Sequence, residues 1–207
     1  MEHPSDRIRL VILKGSVRAG NYTSMAAALV EDELKKHPRV SVETIDPAQL
    51  ELPLPGTASR SNEVDQLHRK VASAAGAVLA TPEYNGSYSS VMKLLIENLG
   101  HPSPLFGKPV ALLGVAGGTI GAIKALEHLR SVVSHIGGIV LPLPISVANV
   151  QRVFDQQGRC LDPDAEQLIR SVATNLLQYM EQNVCPRVTL ERLQQEERKV
   201  SPHIVGI

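Results

Sequence analysis

Runs of apolar residues alternate with stretches of 3.6-residue periodicity along most of the chain. The runs cover residues 8–14, 40–45, 76–80, 109–115 and 139–143. Most are continuous apolar runs, which is the pattern of strands buried on both faces. Between them the period lengthens. Residues 24–36 carry Met25, Ala28, Leu29 and Leu34 along one side, 64–74 carry Val64, Leu67, Val71 and Ala74, and 90–99 carry Val91, Leu94, Leu95 and Leu99. Helices are also predicted over 120–134 and 165–180. Five strands alternating with five helices predict an α/β fold, a three-layer doubly wound sheet of five parallel strands. The expected domain spans residues 1–185. Residues 186–207 read as a tail, polar until Ile204-Val205-Gly206-Ile207, an apolar end suited to a partner subunit.

For five strands the flavodoxin-like order 2-1-3-4-5 is expected, with ligands at the carboxyl ends of the strands where the order reverses. The loops there carry chemistry. The first strand ends in Gly15-Ser16-Val17-Arg18-Ala19-Gly20-Asn21-Tyr22-Thr23-Ser24. That loop offers small residues, hydroxyls and one guanidinium beside the positive end of a helix, a set suited to an anion. The third strand ends in Thr81-Pro82-Glu83-Tyr84-Asn85-Gly86-Ser87, and a glycine pair, Gly117-Gly118, followed by Thr119, comes after the fourth. A phosphorylated, ring-bearing ligand fits this layout.

Composition narrows the partners. Lys and Arg number 21, as do Asp and Glu, so the formal net charge is zero and no basic field draws nucleic acid or an anionic membrane. Two cysteines, Cys160 and Cys185, lack metal-ligand spacing and suit a reducing compartment. With no leader and no long apolar run, the chain reads as cytoplasmic, with neither nucleic acid nor membrane as a partner. His128 and His135 lie on one predicted helix with no completing ligand, so no metal is assigned. Asp46, at the end of strand two, precedes Pro47 and reads as a turn residue, because the first loop is not G-x-G-x-x-G. No catalytic triad is visible.

The loop 15–23, the stretch 46–53 with Leu52-Pro53, the loop Pro82-Glu83-Tyr84-Asn85-Gly86-Ser87 and the pair Gly117-Gly118 together resemble the NADPH-dependent FMN reductase family, which includes chromate, quinone and azo-dye reductases. The likeness runs from about residue 8 to 180. Pro-Glu-Tyr-Asn after a buried strand is its most specific element. The chain departs from the family at Asn21 and Thr23 in the phosphate loop, at Ser89-Ser90 after the third, and in lacking a later tryptophan.

The resemblance implies an NAD(P)H-dependent flavin oxidoreductase passing electrons through FMN to a small acceptor. The alternative is a non-enzymatic FMN-binding electron carrier, but such carriers are acidic and rich in aromatics near the ring, and this chain is neutral with few aromatics. By the same resemblance, Ser16, Arg18, Asn21, Tyr22 and Thr23 form the phosphate side. Pro82, Glu83, Tyr84, Asn85 and Ser87 line the ring, and Gly117, Gly118 and Thr119 offer backbone N–H groups where negative charge gathers on the reduced ring. The cofactor carries the chemistry, so no catalytic side chain is expected. FMN is expected in preference to FAD, because the loop offers no evident second site for an adenosine. NADPH is expected in preference to NADH, and a homodimer or homotetramer is expected because one subunit covers the ring poorly.

Overall fold

The computed structural model describes residues 7–57 and 61–184. By its internal contacts the chain divides into residues 1–176 and 177–207. The first unit holds the sheet. The strands are β1 (Ile8–Lys14), β2 (Val40–Ile45), β3 (Gly76–Tyr84), β4 (Ser87–Tyr88), β5 (Pro109–Val115), β6 (Ile139–Val140) and β7 (Ile145–Val147). The helices are α1 (Tyr22–Lys35), α2 (Asn62–Ser73), α3 (Ser90–Asn98), α4 (Ile123–His135), α5 (Val150–Val153) and α6 (Pro163–Tyr179). A π-helical turn, Met180–Val184, follows α6 in the second unit. The expected boundary at residue 185 and the tail beyond it lie outside the described residues.

The parallel order is β2-β1-β3-β5-β6, with β7 also paired to β5. This is the doubly wound arrangement, with the fifth position filled by two short strands. Strand alternation sets the layers. Val11, Leu13, Ala77, Leu79, Val110 and Leu112 join a core with Leu67 and Val71 of α2, Met92 and Leu95 of α3, and Leu126 and Leu129 of α4. Leu10, Ile12, Val78 and Ala80, one position out of phase, are buried on the opposite face, and α1, which packs on the sheet, buries Ala26, Ala27, Val30 and Leu34. Arg170 of α6 reaches Asp32 at 2.6 Å and Glu33 at 3.2 Å, tying α6 to α1.

The expected fifth strand, 139–143, is divided. Ile139 and Val140 pair with Pro109 and Val110, whereas Ile145 to Val147 pair with Leu113 to Val115. Pro142 and Pro144 have no N–H to give a ladder, and Leu143 between them adopts φ 59°. The expected loop 81–87 is largely strand: β3 runs on to Tyr84 and turns back into β4 antiparallel. Asn85 and Gly86, at φ 50° and 71°, fit the two-residue hairpin turn that Asn-Gly favours. Helix α4 starts three residues later than expected because Gly121, at φ 79°, cannot continue a helix.

Candidate functional site

Loop β1–α1 begins where the pairing of β1 with β3 ends, at Lys14 opposite Ala80. Gly15 N–H donates to the Ala80 carbonyl at 2.7 Å, and the Ser89 hydroxyl donates to the Gly15 carbonyl at 2.5 Å. A Cβ on Gly15 would stand 3.0 Å from the Ala80 oxygen and 3.1 Å from Ser89 Oγ, so only glycine passes there. Next comes Ser16, 3% exposed, whose Oγ has no hydrogen-bond partner among the described residues. A buried hydroxyl in that state costs about 1–3 kcal/mol. The position is thus prepared for a group the chain does not supply.

Gly20, at φ 60°, swings the chain into α1. Asn21 is the N-cap. Its Oδ1 accepts from Ser24 N–H at 2.8 Å, and its Nδ2 donates to the Arg18 carbonyl at 2.6 Å. Thr23 is buried in the first turn, which holds no acidic residue to occupy the positive helix end. The Arg18 side chain is exposed, with its guanidinium carbon 4.7 Å from the centre of the Tyr84 ring. Tyr22 stacks on Phe154 at 6.5 Å.

The facing wall is tied into the fold. Glu83 Oε2 accepts from Ala125 N–H at 3.0 Å, capping α4, whose own N-cap residue Ala122 has no side-chain acceptor. Glu83 therefore does not simply face water. Ser87 Oγ lies 3.0 Å from His128 Nδ1, and Thr81 Oγ1 accepts from Ser89 N–H at 3.2 Å. Beyond β5, the Gly117 carbonyl accepts from Gln151 Nε2 at 3.1 Å and the Gly118 carbonyl from Asn149 N–H at 3.1 Å. A Cβ on Gly118 would meet nothing within 4 Å, whereas one on Gly121 would run into Ser146 Oγ. The glycine the turn requires is Gly121.

Between these walls lies a cleft of about 320 Å³ lined by Arg18, Asn21, Tyr22, Thr23, Pro82, Glu83, Tyr84 and Gly117. Ala116, Val150 and Gln151 join them, and sequence reasoning did not select these three. Asn85, Ser87, Gly118 and Thr119 are near in sequence but do not line it. Ser16 lines a second cavity of about 570 Å³ on the other side of the loop, with Lys14, Met25, Ala28, Asp46, Gln157 and Gly158. Asp46 closes β2 as a turn residue: its Oδ1 accepts from Ala48 N–H at 3.0 Å, and its Oδ2 binds the Lys14 ammonium at 2.7 Å. Burial raises its pKa, but Lys14 and the Ala48 N–H outweigh burial and hold the carboxyl below its ordinary value.

A family model described as NADPH-dependent FMN reductase matches residues 8–151, the stretch from β1 to the cleft residue Gln151. The chain belongs to this family. It is 33% identical over 171 residues to an NAD(P)H-dependent FMN reductase of Pseudomonas aeruginosa, covering 80% of this chain and 91% of the relative. It is 29% identical over 168 residues to an FMN-dependent NADPH-azoreductase of Staphylococcus aureus, covering 78% and 88%. In fold it is similar to the flavoenzyme NAD(P)H:(acceptor) oxidoreductase FerB of Paracoccus denitrificans, with TM-score 0.70, 20% identity, and coverage of 84% and 97%.

As a member of the FMN reductase family the chain is an NAD(P)H-dependent flavin oxidoreductase with FMN as its cofactor. The non-enzymatic carrier reading is not favoured. The residues present fit FMN: a buried hydroxyl without a partner among the described residues, a guanidinium resting on the Tyr84 ring with no ion pair among them, and an acid-free helix end meet the needs of a phosphate, and a cleft open beside Gly117 leaves room for a flat ring. Among the described residues no three His, Cys, Asp or Glu side chains group to hold a metal, and no helix is long and apolar enough to cross a membrane.

Proposed function

We propose that the chain reduces a small electron acceptor, of the quinone, azo-dye or metal-oxyanion kind, at the expense of NADPH, through FMN held across the β1–α1 loop and the adjoining cleft. The observation that supports this reading is Ser16 Oγ, buried and without a partner among the described residues, in the loop after β1 that lies within the matched family stretch. Bound FMN would supply two-electron exchange between donor and acceptor. The chain's own residues bind and orient. Ser16 and Arg18 donate to the phosphate, supported by α1's first turn with Thr23 and by Asn21, which caps that turn and fixes the loop. Pro82, Glu83 and Tyr84 form the ring wall, and Asn85 and Ser87 complete the hairpin behind it. Gly117 lines the cleft, and Gly118 and Thr119 follow it in the same turn, so that their backbone N–H groups would serve the edge where charge gathers. No side chain here is asked to act as nucleophile or general acid.

A homodimer or homotetramer also belongs to this reading. Ile120, beside Thr119, is 76% exposed and Ile123 is 47% exposed, apolar surface near the cleft wall that a second copy would cover. The cytoplasm is the proposed location. Preference for NADPH over NADH rests on the family alone. The decisive test is the absorbance spectrum of the purified protein with FMN, followed by anaerobic addition of NADPH and then NADH, and finally of a quinone, an azo dye and chromate. Bleaching by the donor and recovery with an acceptor are expected. A flavin that neither nicotinamide nucleotide bleaches would refute the reductase reading.

A further inference from the structure

Three consecutive peptide units after β5 are tied down through their carbonyls. The Ala116 carbonyl accepts from Val150 N–H at 3.0 Å, the Gly117 carbonyl from Gln151 Nε2 at 3.1 Å, and the Gly118 carbonyl from Asn149 N–H at 3.1 Å and Gly121 N–H at 3.3 Å. The N–H groups of the same three units, on Gly117, Gly118 and Thr119, have no acceptor among the described residues. We infer that Gln151 is a positioning residue for the redox reaction: by holding the Gly117 carbonyl it aims the Gly118 N–H, and so raises the reduction potential of bound FMN. This rests on the proposed reading that the edge of the ring where charge gathers meets this turn.

The geometry makes one side chain decisive at one peptide. A planar trans peptide points its N–H away from its carbonyl, so a tie on the carbonyl fixes the direction of the N–H. The first and third units are tied by backbone N–H groups, which a change of side chain leaves in place. The middle unit joins two glycines, and its carbonyl is held by the Gln151 amide. A Cβ on Gly118 would meet nothing within 4 Å, so no neighbour packs against that residue. Glycine ranges widely in backbone conformation, and this peptide is free to rotate once Gln151 lets go. Gln151 projects from an anchored base, because Val150 and Val153 of α5 are buried, and it lines the ring cleft beside Gly117. A hydride from NADPH brings two electrons and one proton to FMN and leaves NADP⁺ and one negative charge on the ring. An N–H already aimed at that charge has no reorganisation to undergo when the charge arrives, and it stabilises the reduced form more than the oxidised.

Potentiometric titration of bound FMN, with calorimetric titration of oxidised FMN into the flavin-free protein, tests the inference. The variant is Gln151→Met, which keeps length and volume but has no N–H to donate. Oxidised FMN is expected to bind it within about twofold of the native chain. Reduced FMN is expected to weaken by about three- to tenfold more than oxidised FMN, which for a two-electron couple lowers the midpoint by about 14–30 mV. Melting followed by circular dichroism should be close to native, since the Gln151 side chain is exposed. An unchanged midpoint would overturn the inference, whether FMN binds the variant as before or both forms weaken equally, the latter being the mark of a purely structural role. Failure of the underlying reading has a different signature: Gly118→Val, which puts a side chain into the open turn, would then leave the affinity of both forms of FMN as in the native chain, whereas a ring that meets the turn is weakened in both forms.

Discussion

On one side of the cleft the β1–α1 loop leaves the Ser16 hydroxyl without a partner among the described residues, whereas on the other the β3–β4 hairpin commits the Thr81, Glu83 and Ser87 side chains. Among the described residues Ser16 Oγ has no partner, and the Arg18 guanidinium rests on the Tyr84 ring. Across the cleft, Glu83 caps α4, Ser87 meets His128, and Thr81 accepts from Ser89 N–H. The difference teaches which side recognises charge. Free donors tolerated at a cost of about 1–3 kcal/mol wait for an anion, while a wall whose polar groups are satisfied within the fold offers shape and backbone. Ligand affinity should therefore be sensitive to the loop, and fold stability to the wall.

The largest effect is expected at Arg18. Arg18→Ala removes a charged donor worth about 1.5–3 kcal/mol, which is a loss of about ten- to hundredfold in FMN affinity. Riboflavin, lacking the phosphate, should bind the variant almost as well as the native protein, and Arg18→Lys should recover part of the FMN loss by restoring charge without the planar fork. Fluorescence-quenching titrations of both flavins decide the matter. Equal weakening of FMN and riboflavin would mean that Arg18 acts through Tyr84 on the wall, and the contrast between the two sides would collapse.

Two glycines in one turn separate fold from ligand. Gly121 has φ 79° and its Cβ would strike Ser146 Oγ, so Gly121→Val should cost about 1–3 kcal/mol or more and lower the melting temperature measured by circular dichroism. Gly118→Val meets open space and should melt like the native protein. If its backbone approaches FMN, the same substitution slows turnover. A Gly118→Val variant with native melting and native turnover would remove that residue from the site.

How much of this was legible in the sequence depends on the distance over which each signal acts. Continuous apolar runs marked β1, β3 and β5 because burial on both faces leaves little polar alternation to read, whereas β2, Val-Ser-Val-Glu-Thr-Ile, sits half-buried at the sheet edge and keeps some. The first loop was legible because its glycines, serine and arginine are consecutive. The continuation of β3 through Pro82 to Tyr84 was not, although Asn85-Gly86 is the local signal that finds the hairpin. Pro142 and Pro144 likewise signal the break between β6 and β7. Gln151 reaching Gly117, 34 positions away, and Glu83 capping α4, 42 positions away, depend on tertiary placement and left no local mark.

Glu83 sharpens the comparison from the wall side. Its carboxylate takes one of the free N–H groups of α4, so Glu83→Ala should cost about 0.5–2 kcal/mol, the range for loss of a helix cap. Because the wall contributes shape rather than charge, FMN and riboflavin should weaken together, and only modestly. Chemical denaturation gives the stability change and paired flavin titrations give the ratio. A selective loss of FMN would place Glu83 on the phosphate side and contradict the assignment.

The smallest effect is expected at Asp46, beneath the loop. Its folded pKa is lowered, because the Lys14 ammonium and the Ala48 N–H outweigh the burial that raises it. Such a carboxylate adds stability at pH values above its unfolded pKa, and that stability is lost as pH falls through the folded pKa. Asp46→Asn keeps an acceptor for the cap but removes the charge, and at 30% exposure of Asp46 the pair is partly screened, so the loss at pH 7 should be at most about 1 kcal/mol. Below the ordinary aspartate value of 3.8 the native protein should lose the same interaction, and the gap between the two melting temperatures should close. A gap of constant size from pH 7 to about pH 3 would show that Asp46 holds the turn by hydrogen bonding alone, leaving the Lys14 charge uncommitted beside Ser16 and making the loop side more cationic than its geometry shows.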